Sequence, residues 1–236
     1  MLLEERTRYP KTLNLWERFE NPPAMRGVMD RNKLSAPEFG AIDDWHVTEK
    51  IDGTNIRIML RQVRTGVWGI DFFTREGTDQ NIVWPGAKEF LTGTFTLPRI
   101  FESVDVVKLE KDTVVVFYGE IFGPKIHGGG TYSPTVDYAL FDVRIDDWWL
   151  EPKAVEKMAR QMNIRYVPVI SENWELHEVI TFLEAPDITS KISSEHVMEG
   201  VVCRSNPMML FRGSKNPIQF KLKFKEMKKT LEWEAK

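Results

Sequence analysis

Thr113-Val114-Val115-Val116-Phe117-Tyr118 runs unbroken into Gly119-Glu120-Ile121-Phe122-Gly123. The valine run closed by two aromatics reads as the strongest strand of the chain. Other strands lie on both sides of it. Upstream, Asn55-Ile56-Arg57-Ile58 alternates as a strand does, and Val67 to Phe73 follows a Thr65-Gly66 turn. Downstream, a loop with Gly128-Gly129-Gly130 leads to a strand from Val136 to Ile145. Later strands are expected near Val167–Ile170, over Met198–Arg204 and over Ile218–Phe224. Residues 85–110 carry helix spacing (Ala87, Phe90, Leu91, then Ile100, Val104, Val107) around Gly93 and Pro98. Pro152 suits the first turn of a helix to about Met162, and a second helix runs from about Trp174 to Leu183. Residues 1–45, broken at Pro10, Pro22-Pro23, Gly27, Pro37 and Gly40, read as short helices and loops. Strands that cluster and follow one another predict an α+β fold with largely antiparallel sheets and flanking helices. With no internal repeat, low-complexity tract or linker, one domain over 1–236 is expected. It comprises an N-terminal segment 1–45, a core 46–225 and a basic C-terminal helix 226–236.

Composition narrows the function classes. At 236 residues, 42% hydrophobic and 28% charged, the chain is long enough for a full core and is not a disordered protein. No stretch approaches the roughly 18 apolar residues of a membrane span. The charged start Glu4-Glu5-Arg6 argues against a secretory signal. The single Cys203 precludes an intramolecular disulfide, and with four His scattered at 46, 127, 177 and 196 a Cys/His zinc site is not expected. A cytoplasmic setting fits. Net charge is −3, yet residues 201–236 hold nine Lys/Arg against three Asp/Glu. A basic end on an acidic body is either a solvated charged face or a surface for a polyanion.

Six short stretches carry chemistry-bearing residues. In Glu49-Lys50-Ile51-Asp52-Gly53-Thr54-Asn55, a lysine at a strand start precedes a turn, which places an amine at the mouth of a sheet or simply at a surface turn. In Lys221-Leu222-Lys223-Phe224-Lys225, period two sends all three lysines to one side of a strand. That is a solvated basic face, or a row of cations suited to a triphosphate, which would also favour a neutral, nucleophilic Lys50. Glu120, bounded by glycines, could approach a ligand's ribose hydroxyls or end a strand at an exposed turn. Phe141 beside Asp142 is core, or a stacking plate for a base. Glu199 before Gly200 could hold hydrated magnesium, a hard cation that prefers oxygen ligands. Arg75, in Thr74-Arg75-Glu76-Gly77, adds a cation at a turn.

Taken in order, the set resembles the covalent nucleotidyltransferase superfamily of polynucleotide ligases and RNA capping enzymes. The Lys-x-Asp-Gly motif matches Lys50 to Gly53. The Arg element matches Arg75, Gly-Glu matches Gly119-Glu120 and Phe-Asp matches Phe141-Asp142. Glu-Gly matches Glu199-Gly200, and Lys-x-Lys matches Lys221 and Lys223. Thr54-Asn55 after Gly53, the glycine-flanked Glu120 and the compact spacing from Glu199 to Lys221 look most like the RNA ligase 2-like branch of ATP-dependent RNA ligases. The resemblance implies a nucleotidyltransferase fold, an ATP-grasp-like ligase core, acting as a single adenylyltransferase domain. It implies that Lys50 attacks the α-phosphate of ATP to give a lysyl-adenylate. The AMP then passes to an RNA 5′-phosphate, and a 3′-hydroxyl seals the strand. Arg75 and Glu120 would contact ribose and nearby phosphate, with Asn55 in the same nucleotide-binding set. Phe141 would stack on adenine, backbone groups around Glu49 would read the adenine edge, and Ile51 would belong to the nucleotide-binding set. Lys221 and Lys223 would grip the α-phosphate. Glu199 would orient metal-bound water, and Asp142 would support the site or the Mg2+ (or Mn2+).

Only 11 residues follow Lys225, so a catalytic core without a C-terminal domain is expected. RNA ends, nicked or duplex, would then be gripped by the basic tail and by residues before Trp45 through salt-sensitive phosphate contacts. No membrane and no obligatory protein partner is expected. Lys223-Phe224-Lys225 also fits Lys-x-Lys, although the distance from Glu199 favours Lys221 and Lys223. A minimal DNA ligase, a capping-type guanylyltransferase and a non-catalytic nucleotide- or RNA-binding module stand as alternatives. His127 and its glycine run read as a loop over the site, and Cys203 reads as a buried apolar residue.

Overall fold

A computed structural model describes residues 3–19, 25, 27–75, 77, 82–105, 108–127, 131–185 and 188–235. Pro22-Pro23, Glu76, Val107 and Gly128–Gly130 lie outside the described residues. In chain order the elements are α1 (Leu3–Arg6), β1 (Leu13–Asn14), β2 (Trp16–Arg18), β3 (Met29–Leu34), β4 (Trp45–Glu49), β5 (Thr54–Arg64), β6 (Val67–Thr74), α2 (Ala87–Thr94) and α3 (Leu97–Ser103). They continue with β7 (Val114–Phe122), β8 (Asp137–Ile145), β9 (Trp148–Trp149), α4 (Pro152–Gln161), β10 (Arg165–Tyr166), β11 (Val169–Trp174), α5 (Leu176–Glu184), β12 (Gly200–Ser205), β13 (Gln219–Lys223) and α6 (Phe224–Glu234). The architecture is α+β with largely antiparallel sheets, as expected; the parallel pairs are β1 with β13 and β10 with β8.

The chain divides into two compact units, each made of two segments. The first unit is Met1–Tyr9 with Asp52–Val167; the second is Pro10–Ile51 with Pro168–Lys236.

In the first unit the strands run in the order β10-β8-β7-β5-β6, with β9 on β8. Alternation splits this sheet into an apolar face and a mixed one. Ile56, Ile58 and Leu60 of β5 join Val115, Phe117 and Ile121 of β7 in one core, with Leu91, Ile100 and Val155 of the helices packed on it. Asn55, Arg57, Met59 and Arg61 take the other face, opposite Glu120, Tyr118, Val116 and Val114. The Gly-Glu stretch does not end the strand, because β7 continues through Glu120 to Phe122. Gly119 is needed there: a Cβ would lie 2.2 Å from the Tyr138 ring.

In the second unit the order is β1-β13-β12-β4-β11. Val47, Cys203, Phe220 and Leu222 form the core face with Trp45 and Met227. Three expectations are corrected here. Residues 1–45 hold strands as well as turns, since β2 pairs with β3 and β1 joins β13. Lys50 follows the end of β4 rather than opening a strand. Lys225 lies in the first turn of α6, so of these three lysines Lys221 and Lys223 lie in a strand. That helix carries Lys225, Lys228 and Lys229 against Glu226, Glu232 and Glu234, so the basic surplus of this end lies in the segments before it.

Candidate active site

The predicted site residues fall into two sets, one on each unit. In the second unit β12 is flanked by β13 and β4. Gly200 stands opposite Lys223, and Val202 lies between Lys221 and Thr48. Directly paired residues share a face, so Lys221 and Lys223 point to the side opposite Phe220 and Leu222. The Lys50 amide donates to the Gly200 carbonyl at 2.9 Å, which carries the ladder one residue past β4. Glu199 precedes β12, and its carbonyl accepts from the Phe224 amide at 3.1 Å. Its carboxylate spans two ammonium groups, with one oxygen on Lys50 Nζ and the other on Lys223 Nζ. All three side chains are one-fifth to one-third exposed: Lys50 21%, Glu199 18% and Lys223 30%. Gly200 is required beside them, because a Cβ would sit 2.0 Å from the Leu222 carbonyl oxygen.

Glu49 lies on the core face and is 1% exposed. Its Oε2 accepts from the Lys191 amide at 2.8 Å, while Oε1 is buried with no hydrogen-bond partner. Burial pushes the Glu49 carboxyl up from its usual range, against the opposing pull of Ser190 and Lys191. The Glu49 amide donates to the Pro168 carbonyl at 2.9 Å, so this N–H and that of Lys50 are already engaged. Ile51 is buried.

In the first unit Asn55 of β5 stands opposite Glu120 of β7. Thr54 Oγ1 and Asn55 Oδ1 are buried without a hydrogen-bond partner. Orphaned buried acceptors cost stability unless a ligand or water meets them. Gly53 fits close to β7, where a Cβ would be 2.3 Å from the Ile121 carbonyl oxygen. The Asp52 amide donates to the Tyr132 hydroxyl at 3.2 Å. Arg75 is exposed just beyond β6, and His127 is exposed after β7.

Phe141 and Asp142 sit at an irregularity in the β7–β8 pairing. Gly119 pairs with Leu140, but Tyr118 pairs with Asp142. The extra residue is a β-bulge, which turns both side chains to one side. Tyr9 meets both of them: its hydroxyl donates to Asp142 Oδ2 at 2.6 Å, and its ring lies 5.0 Å from that of Phe141. Asp142 is fully buried, whereas Phe141 is half-buried. No motif singled out Tyr9 or Arg57. Arg57 is 2% exposed, with its guanidinium 4.8 Å above the Phe73 ring. Period two from Asn55 would have placed Arg57 on the same face.

No group of three or more His, Cys, Asp or Glu suited to a metal ion occurs among the described residues. The donor set around Glu199 is one carboxylate with two ammonium groups. That fits an ion held through its own water shell and does not fit a cage of protein ligands.

In fold the chain is similar to the RNA ligase of Naegleria gruberi. A lysine-to-alanine variant of that enzyme with ATP and Mn matches at 20% identity and a TM-score of 0.55, covering 93% of this chain and 63% of that one. An arginine-to-alanine variant with ATP and Mn matches at 17% and 0.57, covering 92% and 59%. A lysine-to-methionine variant with AMP and Mn matches at 17% and 0.52, covering 94% and 63%. The chain thus spans less than two thirds of the length of each. Among curated proteins, none matches it. The family model described as RNA ligase matches residues 43–225, from just before β4 to the first turn of α6 and through every motif residue above, and the chain belongs to the RNA ligase family.

Proposed function

We propose that the chain is an ATP-dependent RNA ligase that joins 3′-hydroxyl and 5′-phosphate RNA ends through a lysyl-AMP on Lys50 and an adenylylated 5′ end. The observation that carries this reading is the Glu199 carboxylate spanning Lys50 and Lys223 in a chain of the RNA ligase family. An ammonium held by a carboxylate is not a nucleophile, so the pair is a resting state. Lys50 must give up a proton to solvent and leave Glu199 before Nζ attacks the α-phosphorus. The P–N bond forms as the bond to pyrophosphate breaks, and a second proton leaves the nitrogen for solvent. Lys221 and Lys223, projecting from one face of β13, neutralise phosphate oxygens during that displacement. When bound, a hydrated Mg2+ or Mn2+ supplies further charge neutralisation, and Glu199 is the residue that would hold its water.

Backbone groups around Glu49 are assigned to the adenine edge, because the Glu49 side chain itself is buried on the core face. Phe141 offers a ring to the purine. Glu120 and Asn55, paired across two strands, offer acceptors to ribose hydroxyls, and Arg75 offers a cation to phosphate. Residues 1–236 act as one adenylyltransferase domain in this reading, supported by a family match that takes in segments of both units. The substrates are nicked or duplex RNA ends, the process is RNA repair, and the setting is the cytoplasm, in keeping with the lone buried Cys203.

The test is intact-mass spectrometry of the protein with Mg2+ and ATP or GTP, followed by addition of nicked duplex RNA or DNA. The expected result is an added AMP that forms from ATP, is absent in Lys50→Ala, and is discharged by nicked RNA. Persistence of the adduct in Lys50→Ala would mean that another group is the nucleophile, and its absence from the wild-type protein would refute the reading. Glu199→Ala is expected to slow adduct formation more than it weakens ATP binding.

A further inference from the structure

We infer that Tyr9, outside every recognised motif, is a positioning residue that holds the Phe141 ring for stacking on the adenine base; the inference rests on the ATP reading above. A side chain that offers a flat face to a base must not rotate freely, and half-buried Phe141 needs a support. Tyr9 meets it edge-on, with ring centroids 5.0 Å apart and planes at 75°. Tyr9 is itself fixed on several sides. Its hydroxyl donates to buried Asp142 at 2.6 Å, and its ring contacts Tyr118 at 5.1 Å and Trp149 at 5.8 Å. The segment before it is tied down as well: the Tyr118 hydroxyl donates to the Thr7 carbonyl at 2.9 Å, and Arg144 donates to the Arg6 carbonyl at 2.7 Å. The bulge in β8 lets one tyrosine touch both neighbours, because a regular strand would send Phe141 and Asp142 to opposite faces. Asp142 adds one hold on Tyr9, beside the ring contacts that fix its plane.

Adduct formation on Lys50 is measured with ATP and with a ribose triphosphate that lacks the base. Tyr9→Leu is expected to raise KM for ATP roughly three- to tenfold, with kcat little changed, and to shrink the preference for ATP over the base-less compound by the same factor. Tyr9→Phe keeps the ring and is expected to retain both values within about twofold. Thermal melting reports folding, and Tyr9→Met, which fills the space without a ring, is read in the same way should Tyr9→Leu not fold. An unchanged KM and preference in the ring-less variants, with both altered in Phe141→Leu, would overturn the role of Tyr9 and leave the ATP reading standing. Equal losses in Tyr9→Phe and Tyr9→Leu would also overturn it, placing the effect in the Asp142 hydrogen bond alone. A wild-type protein that gains no adduct would instead bring down the ATP reading.

Discussion

Glu49 carries a carboxyl into the core face of the second unit. Its carboxyl is buried, and burial raises its pKa above the ordinary value. A carboxyl raised in the folded state favours folding fully below its unfolded pKa, and that contribution is lost as pH rises through the folded pKa. Its contribution to stability therefore falls as pH rises above the ordinary carboxyl range. Glu49→Gln, which does not ionise, is expected to gain melting temperature relative to the wild-type protein as pH rises from 3 to 8. Melting curves across that range check it, and a difference that does not grow with pH would place the effect elsewhere. Lys50, Glu199 and Lys223 are legible as residue types in the sequence, but their joining is not. Lys50 and Glu199 stand 149 positions apart, and only strand pairing brings Gly200 beside Lys50 and Lys223.

Among the elements, the glycines divide by what surrounds them. Gly200→Ala would force a Cβ against the Leu222 carbonyl and Gly53→Ala against that of Ile121, both backbone atoms that cannot step aside. Each is expected to cost about 1–3 kcal/mol and to part neighbouring strands next to candidate site residues. Gly93 is exposed inside α2 with nothing within 4 Å of the built Cβ. Gly93→Ala should stabilise by roughly 0.5–1 kcal/mol. Urea unfolding of the three variants separates the two classes. The bulge at Phe141-Asp142 and the end of β13 at Lys223 lie beyond what a local pattern reveals. Lys221-Leu222-Lys223-Phe224-Lys225 continues its alternation past Lys223, while Phe224, Met227 and Leu231 already carry helix spacing. Packing of Met227 into the core selects the helix.

For the whole chain, each of the two units has its own core, and Cys203 reports on one of them. The thiol is 0% exposed, and burial pushes its pKa well above the ordinary value. A thiol reagent is expected to leave it unmodified in the native protein at pH 8. In denaturant, labelling should begin only as the second unit opens, and hydrogen exchange in β12 and β13 should rise over the same range. Labelling in the absence of denaturant would mean that this core opens under native conditions. The two units are not legible in the sequence because each is built from two segments that interrupt one another, and no composition shift marks the crossings near Tyr9, Ile51 and Val167.

Read alone, the residues reveal the strands from β5 to β8 and β12 to β13, the helices α2 to α5, and an ordered set of lysines, acids and one aromatic that carries the resemblance to ligases. Those properties are local: alternation, turn residues and spacing along one chain. Folding alone settles which carboxylate lies between which lysines, that Phe141 and Asp142 share a side, and that Tyr9 joins them. It also decided the pairing of residues 13–34, where short strands draw their register from distant partners rather than from their own pattern. The physical reason is that a periodic pattern states which way a side chain points, whereas its partner is chosen by long-range pairing and by burial, which a single stretch of residues does not encode.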